Sequence, residues 1–526
     1  MTTTLFTGGR VRAHPEAAPA DWLLCDDDTV VATGTTAETP AADRTIDLAG
    51  AVALPAFCDA HVHLPATGLY ALGMDFRGEG SSSAIMNAFA ARAKGGGGNG
   101  GGGGNGGGGT GGLLFGGNFE DPLDRPLGAA DLDAAVGGRT ALLARADMHS
   151  CIVSSAVLEQ LDLDGLAGVD LSEQGEPTGY LREQAAGRAW RWFESQLPAQ
   201  EQRDAITAAA QLAYSKGVTT VHEMYVVEWR GWPSLDIVRD VAATSALDVV
   251  FYVATAEVAR VVDMGFERIG GDFFLDGSFG SQTAWLSEPY DAPPPPGSPP
   301  RGIAYHTNEE VIELFGSAQA AGLQVGVHAI GDAAITQALD CWEAVAAAAG
   351  TEAVRALGHR IEHFECASDE HVRRAALLGL RASVQPAFDA FWGGEHGMYA
   401  TRVGPRRAAG MNRFKTMLDG GLIVGAGSDS TVTPLDPWLQ MAALRAHNLP
   451  GQSLSASDAL FAHTVGSHRL AGGDARGSLE PSLKADVVVV DRDPLEVDPE
   501  ALRGTEIIGT WASGRRVWPP GEAEAT

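Results

Sequence analysis

Short apolar runs alternate with Ala- and Leu-rich helical patterns between about residues 213 and 430. Helical patterns such as TNEEVIELFGSAQAAG and SDEHVRRAALLG separate several of these runs. Alternation of this kind predicts parallel strands joined by right-handed helical crossovers. The candidate strands are GVTTVHEM (217–224), LDVVFYVA (247–254), GDFFLDG (271–277), LQVGVHAIGD (323–332), RIEHFE (360–365), RASVQP (381–386) and IVGAGSDS (423–430).

An earlier apolar stretch, LPAFCDAHVHL (54–64), supplies an eighth strand, and a (β/α)₈ barrel requires eight. A doubly wound sheet is the alternative α/β architecture. Polar residues recur at the C-terminal ends of many of these strands, which suits the mouth of a barrel better than a single crevice. The predicted fold class is therefore α/β, a (β/α)₈ TIM barrel.

The two ends of the chain have a different pattern, with short strands and turn residues but no helical periodicity. These ends predict one composite β-sandwich domain made of residues 1–54 and 475–526. The barrel domain is then expected to span residues 55–474.

The stretch between the first two barrel strands, about 68–212, is far longer than one crossover helix needs. It predicts a subdomain inserted after the first barrel strand. Within it, residues 95–112 read GGGGNGGGGGNGGGGTGG, and glycine at this density indicates a flexible connection.

The chain carries 67 acidic and 37 basic residues, a formal net charge of −30. Such a balance argues against nucleic acid or an anionic membrane as a partner, because both bind clustered Lys and Arg. No stretch approaches the length of an apolar membrane span, and the first residues lack a signal-peptide pattern. Five scattered cysteines without a C-x-x-C spacing argue against a disulfide framework, and the expected location is cytoplasmic.

The candidate chemistry begins with His61 and His63, which lie two apart on a predicted strand and so point to one face. His328, His363 and Asp429 each end an apolar run in a separate barrel strand. Strand ends meet at the C-terminal mouth of a barrel, so these side chains should face one another. Four imidazoles and a carboxylate suit Zn²⁺ or another divalent metal, as one or two ions.

These stretches, together with DGSFGSQTA and GSLEPSLKADVVVVDRDP, resemble the amidohydrolase superfamily, specifically its N-substituted formamide deformylase-like branch. The matching motifs run in family order along nearly the whole chain. The resemblance implies that His61, His63, His328, His363 and Asp429 surround the metal, and that the reaction is metal-assisted hydrolysis of an amide or a related C–N bond. Asp429 is the expected general acid/base, and His328 is the second candidate catalytic residue.

One departure from the family pattern concerns the fourth barrel strand, where many relatives carry a carboxylated lysine that bridges two metals. Asp272 occupies that position here, and its side chain, several bonds shorter than a carboxylated lysine, could not span two ions from the same backbone position. Either the site holds one metal, or another carboxylate supplies the bridge. Glu183 in GYLREQA resembles a glutamate of the family and is the candidate bridge; a helix-start surface glutamate is the alternative.

Further residues are candidates for substrate binding. His149 matches the family's Asp-x-His motif, whereas His222 and Glu223 are expected at the barrel mouth, in contact with substrate or in an orienting role. Gln282 stands where relatives often have arginine, which weakens the case for an anionic substrate group. The full set is His149, His222, Glu223, Asp276, Ser278 and Gln282.

The predicted protein is a metal-dependent hydrolase that cleaves the C–N bond of an N-acyl or N-formyl amine, a small amide or a cyclic amide. A heterocycle deaminase on the same fold and a non-catalytic amidohydrolase-like scaffold are the alternatives. A scaffold has little reason to bury every ligand at a desolvation cost. The expected partner is a small-molecule substrate, not nucleic acid or membrane, and a homodimer is the default oligomer.

Overall fold

A computed structural model describes residues 2–94, 113–146, 148–294 and 298–520 of the chain. The predicted flexible connection, 95–112, lies outside these residues. The strands are β1 Thr3–Thr7, β2 Arg10–Val11, β3 Trp22–Asp26, β4 Thr29–Gly34, β5 Arg44–Asp47, β6 Val52–Pro55, β7 Phe57–Val62, β8 Met74–Asp75, β9 Leu114–Phe119, β10 Ala141–Arg145, β11 Ser150–Val153, β12 Val169–Leu171, β13 Pro177–Arg182, β14 Val218–Val226, β15 Asp248–Ala254, β16 Arg268–Phe274, β17 Gln324–Ala329, β18 Arg360–His363, β19 Arg381–Val384, β20 Val424–Ala426, β21 Val487–Val490, β22 Ile507–Ala512 and β23 Arg515–Trp518.

The α-helices follow most of the barrel strands and also fill the insertion. They are α1 Leu64–Leu72, α2 Ser82–Lys94, α3 Ala129–Val136, α4 Ser155–Leu158, α5 Glu183–Gln196, α6 Ala199–Ser215, α7 Val227–Thr244, α8 Val258–Asp263, α9 Asn308–Ala320, α10 Asp332–Ala349, α11 Thr351–Leu357, α12 Asp369–Leu378, α13 Pro386–Trp392, α14 Met398–Val403, α15 Pro405–Ala408, α16 Phe414–Asp419, α17 Pro437–Arg445, α18 Ala456–Phe461, α19 Ser467–Leu470 and α20 Pro499–Leu502.

Eight parallel strands form the central sheet in the order β7-β14-β15-β16-β17-β18-β19-β20. Each of the eight strands predicted from the sequence overlaps one of them. The sheet closes where Val62 pairs with Ser430, the His63 amide donates to the Ser430 carbonyl at 3.0 Å, and the Asp429 amide donates to the His61 carbonyl at 2.8 Å. The TIM-barrel fold class is therefore confirmed.

The local sequence accounts for the crossover helices, as α9 illustrates. Thr307 accepts a hydrogen bond from the Glu310 amide, and Glu310 accepts one from the Thr307 amide at 2.8 Å, which closes a capping box. The apolar positions then recur at helical spacing and face the barrel, so one continuous core lies between strands and helices. Those positions are Val311, Leu314, Phe315 and Ala318.

The segment between β7 and β14 folds around a sheet of its own, in the order β12-β13-β11-β10-β9-β8. Helix α5 packs on it through Ala185, Ala189 and Phe193, which are buried with strand residues of that sheet. The insertion after the first barrel strand is thus present, and its bounds of 68–212 stay a prediction.

The chain ends build two further sheets that share a core. The first sheet, β4-β3-β1-β5, comes from the N-terminal end alone, whereas the second, β2-β6-β21-β22-β23, draws strands from both ends. Residues Val52–Pro55 pair antiparallel with Val487–Val490, so the ends of the chain hold each other in register. Phe6 and Leu23 from the first sheet are buried with Trp511 from the second. This arrangement is the expected composite sandwich.

Across the described parts of the chain, we find no helix with both the length and the apolar character that a bilayer crossing requires.

Candidate metal centre

The first two imidazoles of the centre come from the end of β7. Each is held at Nδ1: that of His61 lies 3.1 Å from Glu362 Oε2, and that of His63 lies 3.1 Å from the Met224 carbonyl oxygen. Both Nε2 atoms are left facing the barrel axis. An imidazole fixed at one nitrogen by an acceptor presents the other as a lone-pair donor, as metal-bound histidines do.

The other two imidazoles end β17 and β18. His363 Nδ1 lies 2.7 Å from Gln385 Oε1, which leaves Nε2 toward the centre. His328 is turned the other way, with Nε2 at 3.3 Å from the Gly277 carbonyl and Nδ1 inward. The ring centroids of His328 and His363 are 4.4 Å apart, and those of His61 and His363 are 4.9 Å apart. Four imidazoles thus meet at the carboxyl ends of the strands.

Two of the predicted metal ligands have a left-handed backbone conformation, which is costly for residues other than glycine. His363 has φ of 69° and Asp429 has φ of 52°. A regular β18 would send Glu362 and His363 to opposite faces, yet Glu362 contacts His61 and His363 also joins the cluster. The left-handed turn at His363 is what brings both side chains inward.

Asp272 lies among the imidazoles, which the sequence argument did not predict. Its Oδ2 is 3.1 Å from His63 Nε2, and its Oδ1 is 3.5 Å from His61 Nε2, 3.6 Å from His328 Nδ1 and 3.8 Å from His363 Nε2. Asp429 Oδ1 approaches the same centre, 3.2 Å from His63 Nε2.

A backbone irregularity explains how so short a side chain reaches the centre. The pairing of β16 with β17 shifts register between Gly270 and Phe274, and Gly270 and Gly271 both have positive φ. A Cβ at Gly270 would overlap the carbonyl oxygen of Gly326, so the conformation requires glycine. Such a bulge re-aims the following side chain, whereas the sequence argument assumed a regular strand.

The converging atoms fit a metal ion. His61 Nε2, His328 Nδ1, Asp272 Oδ1 and Asp429 Oδ1 are buried and have no hydrogen-bond partner among the residues that the structure describes. Buried polar atoms are rarely left in this state unless something else binds them. Three overlapping groups of ligand atoms result: His61, His363 and Asp429; His61, His63 and Asp272; and Asp272, His328 and His363.

The electrostatics of the centre also favour a cation. Burial by itself would lower the pKa of His63, but the carboxylates of Asp272 and Asp429 outweigh it and raise that pKa to about 9. The same carboxylates raise the pKa of His61 against the effect of its burial. Two buried carboxylates that stabilise a positive charge on the imidazoles this strongly would stabilise a divalent cation in the same way.

A fully buried ion pair supports His61 from behind. Glu362 accepts hydrogen bonds from Arg360 Nε at 2.5 Å and from Arg360 Nη2 at 2.6 Å, and neither side chain is accessible to solvent. Burial opposes ionisation of Glu362, but Arg360 and His61 hold its pKa down to about 2. Arg360 continues to the Ala60 carbonyl at 2.7 Å and to His222 Nδ1 at 2.8 Å. This pair was not predicted from the sequence, although Arg360 and Glu362 at spacing two in RIEH share a strand face.

Glu183, the candidate bridge, is not part of any of the three ligand groups found among the described residues. Its Oε2 lies 3.2 Å from His149 Nδ1 and accepts a hydrogen bond from the Tyr305 hydroxyl at 3.1 Å. His149 lines the same cavity as the metal centre. The structure therefore places Glu183 beside the cavity, where it orients His149, and places Asp272 among the imidazoles.

Two of the proposed substrate contacts do not reach the mouth, because β14 continues beyond them to Val226. His222 is fully buried between Arg360 and the Cys58 thiol, with Nε2 3.6 Å from Sγ. Glu223 accepts the Leu64 amide at 2.5 Å, which fixes the chain directly after His63. The geometry gives these two residues orienting positions.

The remaining candidates shape the loop after β16. Asp276 accepts amides of Ile330, Gly331 and Trp285 at 2.8–3.0 Å, and so holds the loop that follows His328. Ser278 lines the cavity. Gln282 is buried at 3% exposure and accepts a hydrogen bond from Arg402 Nη1 at 3.2 Å.

The centre forms the floor of a cavity of about 220 Å³. Aromatic side chains make up much of its wall, and polar groups lie among them. The wall includes Trp229, Phe274, Phe279, Phe388, Trp392 and Tyr399 together with Arg145, His149, Ser278 and Arg402. Such a mixture is typical of a small-molecule site.

Known proteins are similar to this chain, in sequence or in structure, over 40% to 94% of its length. The chain is 28% identical over 505 residues to "Putative amidohydrolase YtcJ" of Bacillus subtilis (strain 168), covering 90% of each chain. It is 27% identical over 221 residues to N-substituted formamide deformylase of Arthrobacter pascens, covering 40% of each. The crystal structure of an uncharacterized metal-dependent hydrolase from Pyrococcus furiosus superimposes with a TM-score of 0.73 at 26% identity, over 94% of this chain and 100% of that one.

The amidohydrolase family pattern matches residues 44–518, which span the barrel, its metal centre and most of the composite sandwich. The chain belongs to the amidohydrolase family.

Proposed function

We propose that the protein hydrolyses the C–N bond of an N-acyl or N-formyl amine at this centre. The observation that carries the proposal is the convergence of four imidazoles with Asp272 and Asp429 on the floor of a substrate-sized cavity, with four of their ligand atoms unpartnered. The relative from Arthrobacter pascens, an N-substituted formamide deformylase, supports this type of bond.

Zn²⁺ is the cation that the donor set suits best, because imidazole nitrogens with one or two carboxylates are typical zinc ligands. His61, His63 and Asp429 would hold one ion, and His328 and His363 would hold a second; Asp272, whose carboxylate lies 3.1–3.8 Å from nitrogens of all four imidazoles, would contribute a further ligand. When bound, the metal would polarise the substrate carbonyl and lower the pKa of a coordinated water.

Asp429 has the position of a general acid/base. Its Oδ1 is buried and accepts no hydrogen bond from the residues that the structure describes, and Asp429 lines the cavity that substrate would enter. From there Asp429 accepts the proton of the attacking water and later delivers it to the leaving nitrogen. The aromatic wall excludes bulk water and offers apolar contact to the nitrogen substituent.

The test is hydrolysis of N-formyl and N-acyl amines by the Zn²⁺-loaded protein and by its Asp429→Asn variant. We expect kcat to fall by about 10²-fold or more in the variant, which is the size of general acid–base contributions. The control is Asp419→Asn, which removes a carboxylate paired with Lys415 on the surface. Activity of Asp429→Asn within a few-fold of wild type would remove Asp429 from this role.

A further inference from the structure

Arg402, on α14, brings a guanidinium group into the wall of the same cavity. Its Nη1 donates to Gln282 Oε1 at 3.2 Å and its Nη2 donates to the Gly280 carbonyl at 3.0 Å. Its Nε is buried and has no hydrogen-bond partner in the described part of the chain. Arg402 is therefore held by neutral acceptors, with N–H donors to spare.

Within residues 2–94, 113–146, 148–294 and 298–520, no carboxylate forms an ion pair with Arg402. Partial burial lowers the pKa of its guanidinium, and the nearby charge of Arg145 lowers it further. Arg145, in contrast, has a counter-charge, because Asp121 Oδ2 lies 3.5 Å from its Nε. A charge taken from water without a counter-charge is costly, so such a group is expected to meet an anion in use.

Gln282 fixes the orientation of the Arg402 guanidinium group. Its Nε2 donates to the Ala292 carbonyl at 3.0 Å, which turns Oε1 toward Arg402. The sequence argument took glutamine at this position as evidence against an anionic substrate group. In the folded chain Gln282 is the acceptor that orients an arginine supplied by α14.

We propose that the substrate carries a carboxylate that binds Arg402, so that it belongs to the N-acyl or N-formyl amino acid class. The proposal names the substrate of the site described above and rests on the function proposed for it. A planar guanidinium fork matches a carboxylate in shape, and one uncompensated positive charge matches one negative charge. Phe279 and Tyr399, whose ring centroids are 5.4 Å apart, lie in the same cavity wall as Arg402.

The test compares two ketones that cannot be hydrolysed. One is the analogue of N-acetylphenylalanine in which a methylene replaces the amide NH, and the other is the same ketone without its carboxylate. Calorimetric titration of the Zn²⁺-loaded protein should show about 10- to 100-fold tighter binding of the carboxylate, the range for hydrogen bonds between charged groups. Equal binding of the two ketones would overturn the proposal.

Two variants test the assignment to Arg402. Arg402→Leu removes the charge, and Gln282→Glu gives Arg402 a permanent partner inside the protein. In both variants, the ratio between the dissociation constants of the two ketones should fall to near one. Retention of the wild-type ratio in both variants would overturn the proposal.

The matched control is Arg445→Gln. Arg445 also donates to a backbone carbonyl, that of Pro494, and burial also lowers its pKa, but it does not line the cavity. It should keep the wild-type ratio. Failure of the proposed function would give a different result: the wild-type protein would not hydrolyse N-acetylphenylalanine, although the ratio between the dissociation constants of the two ketones would be as expected.

Discussion

At the scale of single residues, the geometry of the metal centre depends on which group contacts each imidazole at the nitrogen that faces away from the centre. His61 contacts a carboxylate there, His63 and His328 contact backbone carbonyls, and His363 contacts the amide of Gln385. The contact to His61 is the only charged one of the four, and its partner Glu362 is itself paired with Arg360. Glu362 is therefore the supporting residue whose loss should affect the centre most.

We expect Glu362→Gln to weaken Zn²⁺ affinity about 10- to 100-fold, because a neutral amide orients His61 less firmly. It should also lower the free energy of unfolding by about 3 kcal/mol, since Arg360 would remain buried without its counter-charge. Competition with a chromogenic chelator measures the first effect, and denaturant unfolding measures the second.

The control is Glu370→Gln, which breaks an exposed ion pair with Arg373. Exposed pairs contribute little to stability, so both quantities should stay near wild type. If Glu362→Gln behaved like this control, Glu362 would not be supporting the centre.

At the scale of secondary-structure elements, β16 differs most from a regular barrel strand. Its register shift and its two left-handed glycines carry Asp272 toward the imidazoles. The position of the carboxylate thus depends on the backbone before it as well as on the side chain.

Gly270→Ala should therefore remove bound metal and destabilise the fold, because a Cβ there meets the Gly326 carbonyl and the strand must move. Gly265→Ala is the matched control: its φ is also positive, 77°, but a Cβ there meets nothing within 4 Å. The control should cost only the left-handed penalty of about 1–2 kcal/mol and keep its metal. Metal analysis and thermal unfolding of both variants decide the point, and full metal retention by Gly270→Ala would contradict this role of the bulge.

The same element shows where sequence reasoning ends. Strand periodicity places His61 and His63 on one face, and the ends of apolar runs locate His328, His363 and Asp429. Period-two reasoning fails where the backbone leaves the regular β conformation, as it does at Gly270 and Gly271. Asp272 could not be placed for this reason.

At the scale of the whole molecule, the barrel could be predicted from the regular alternation of apolar runs with helical patterns, and the composite sandwich from the short strands without helical periodicity at both ends of the chain. The six-stranded sheet of the insertion could not, since its strands include β8 and β12, of two and three residues. Arg402 could not be assigned to the site either. It lies 120 residues from Gln282 in sequence, and only the folded chain brings the two together.

Several parts of the chain contribute to the cavity at one end of the barrel. The carboxyl ends of the barrel strands supply the metal ligands, the insertion contributes Arg145 and His149 to the cavity wall, and α14 contributes Arg402. Three separate parts of the chain must therefore assemble before substrate can be bound. All three line the cavity whose floor is the metal centre.

The most direct test of the account is the amount of metal bound per chain after Zn²⁺ loading and removal of free ions. We predict that Asp272→Asn retains fewer ions per chain than wild type, and that Glu183→Gln retains as many as wild type. An Asp272→Asn protein that held the wild-type amount, or a Glu183→Gln protein that lost as much as Asp272→Asn is expected to lose, would contradict the placement of Asp272 at the centre.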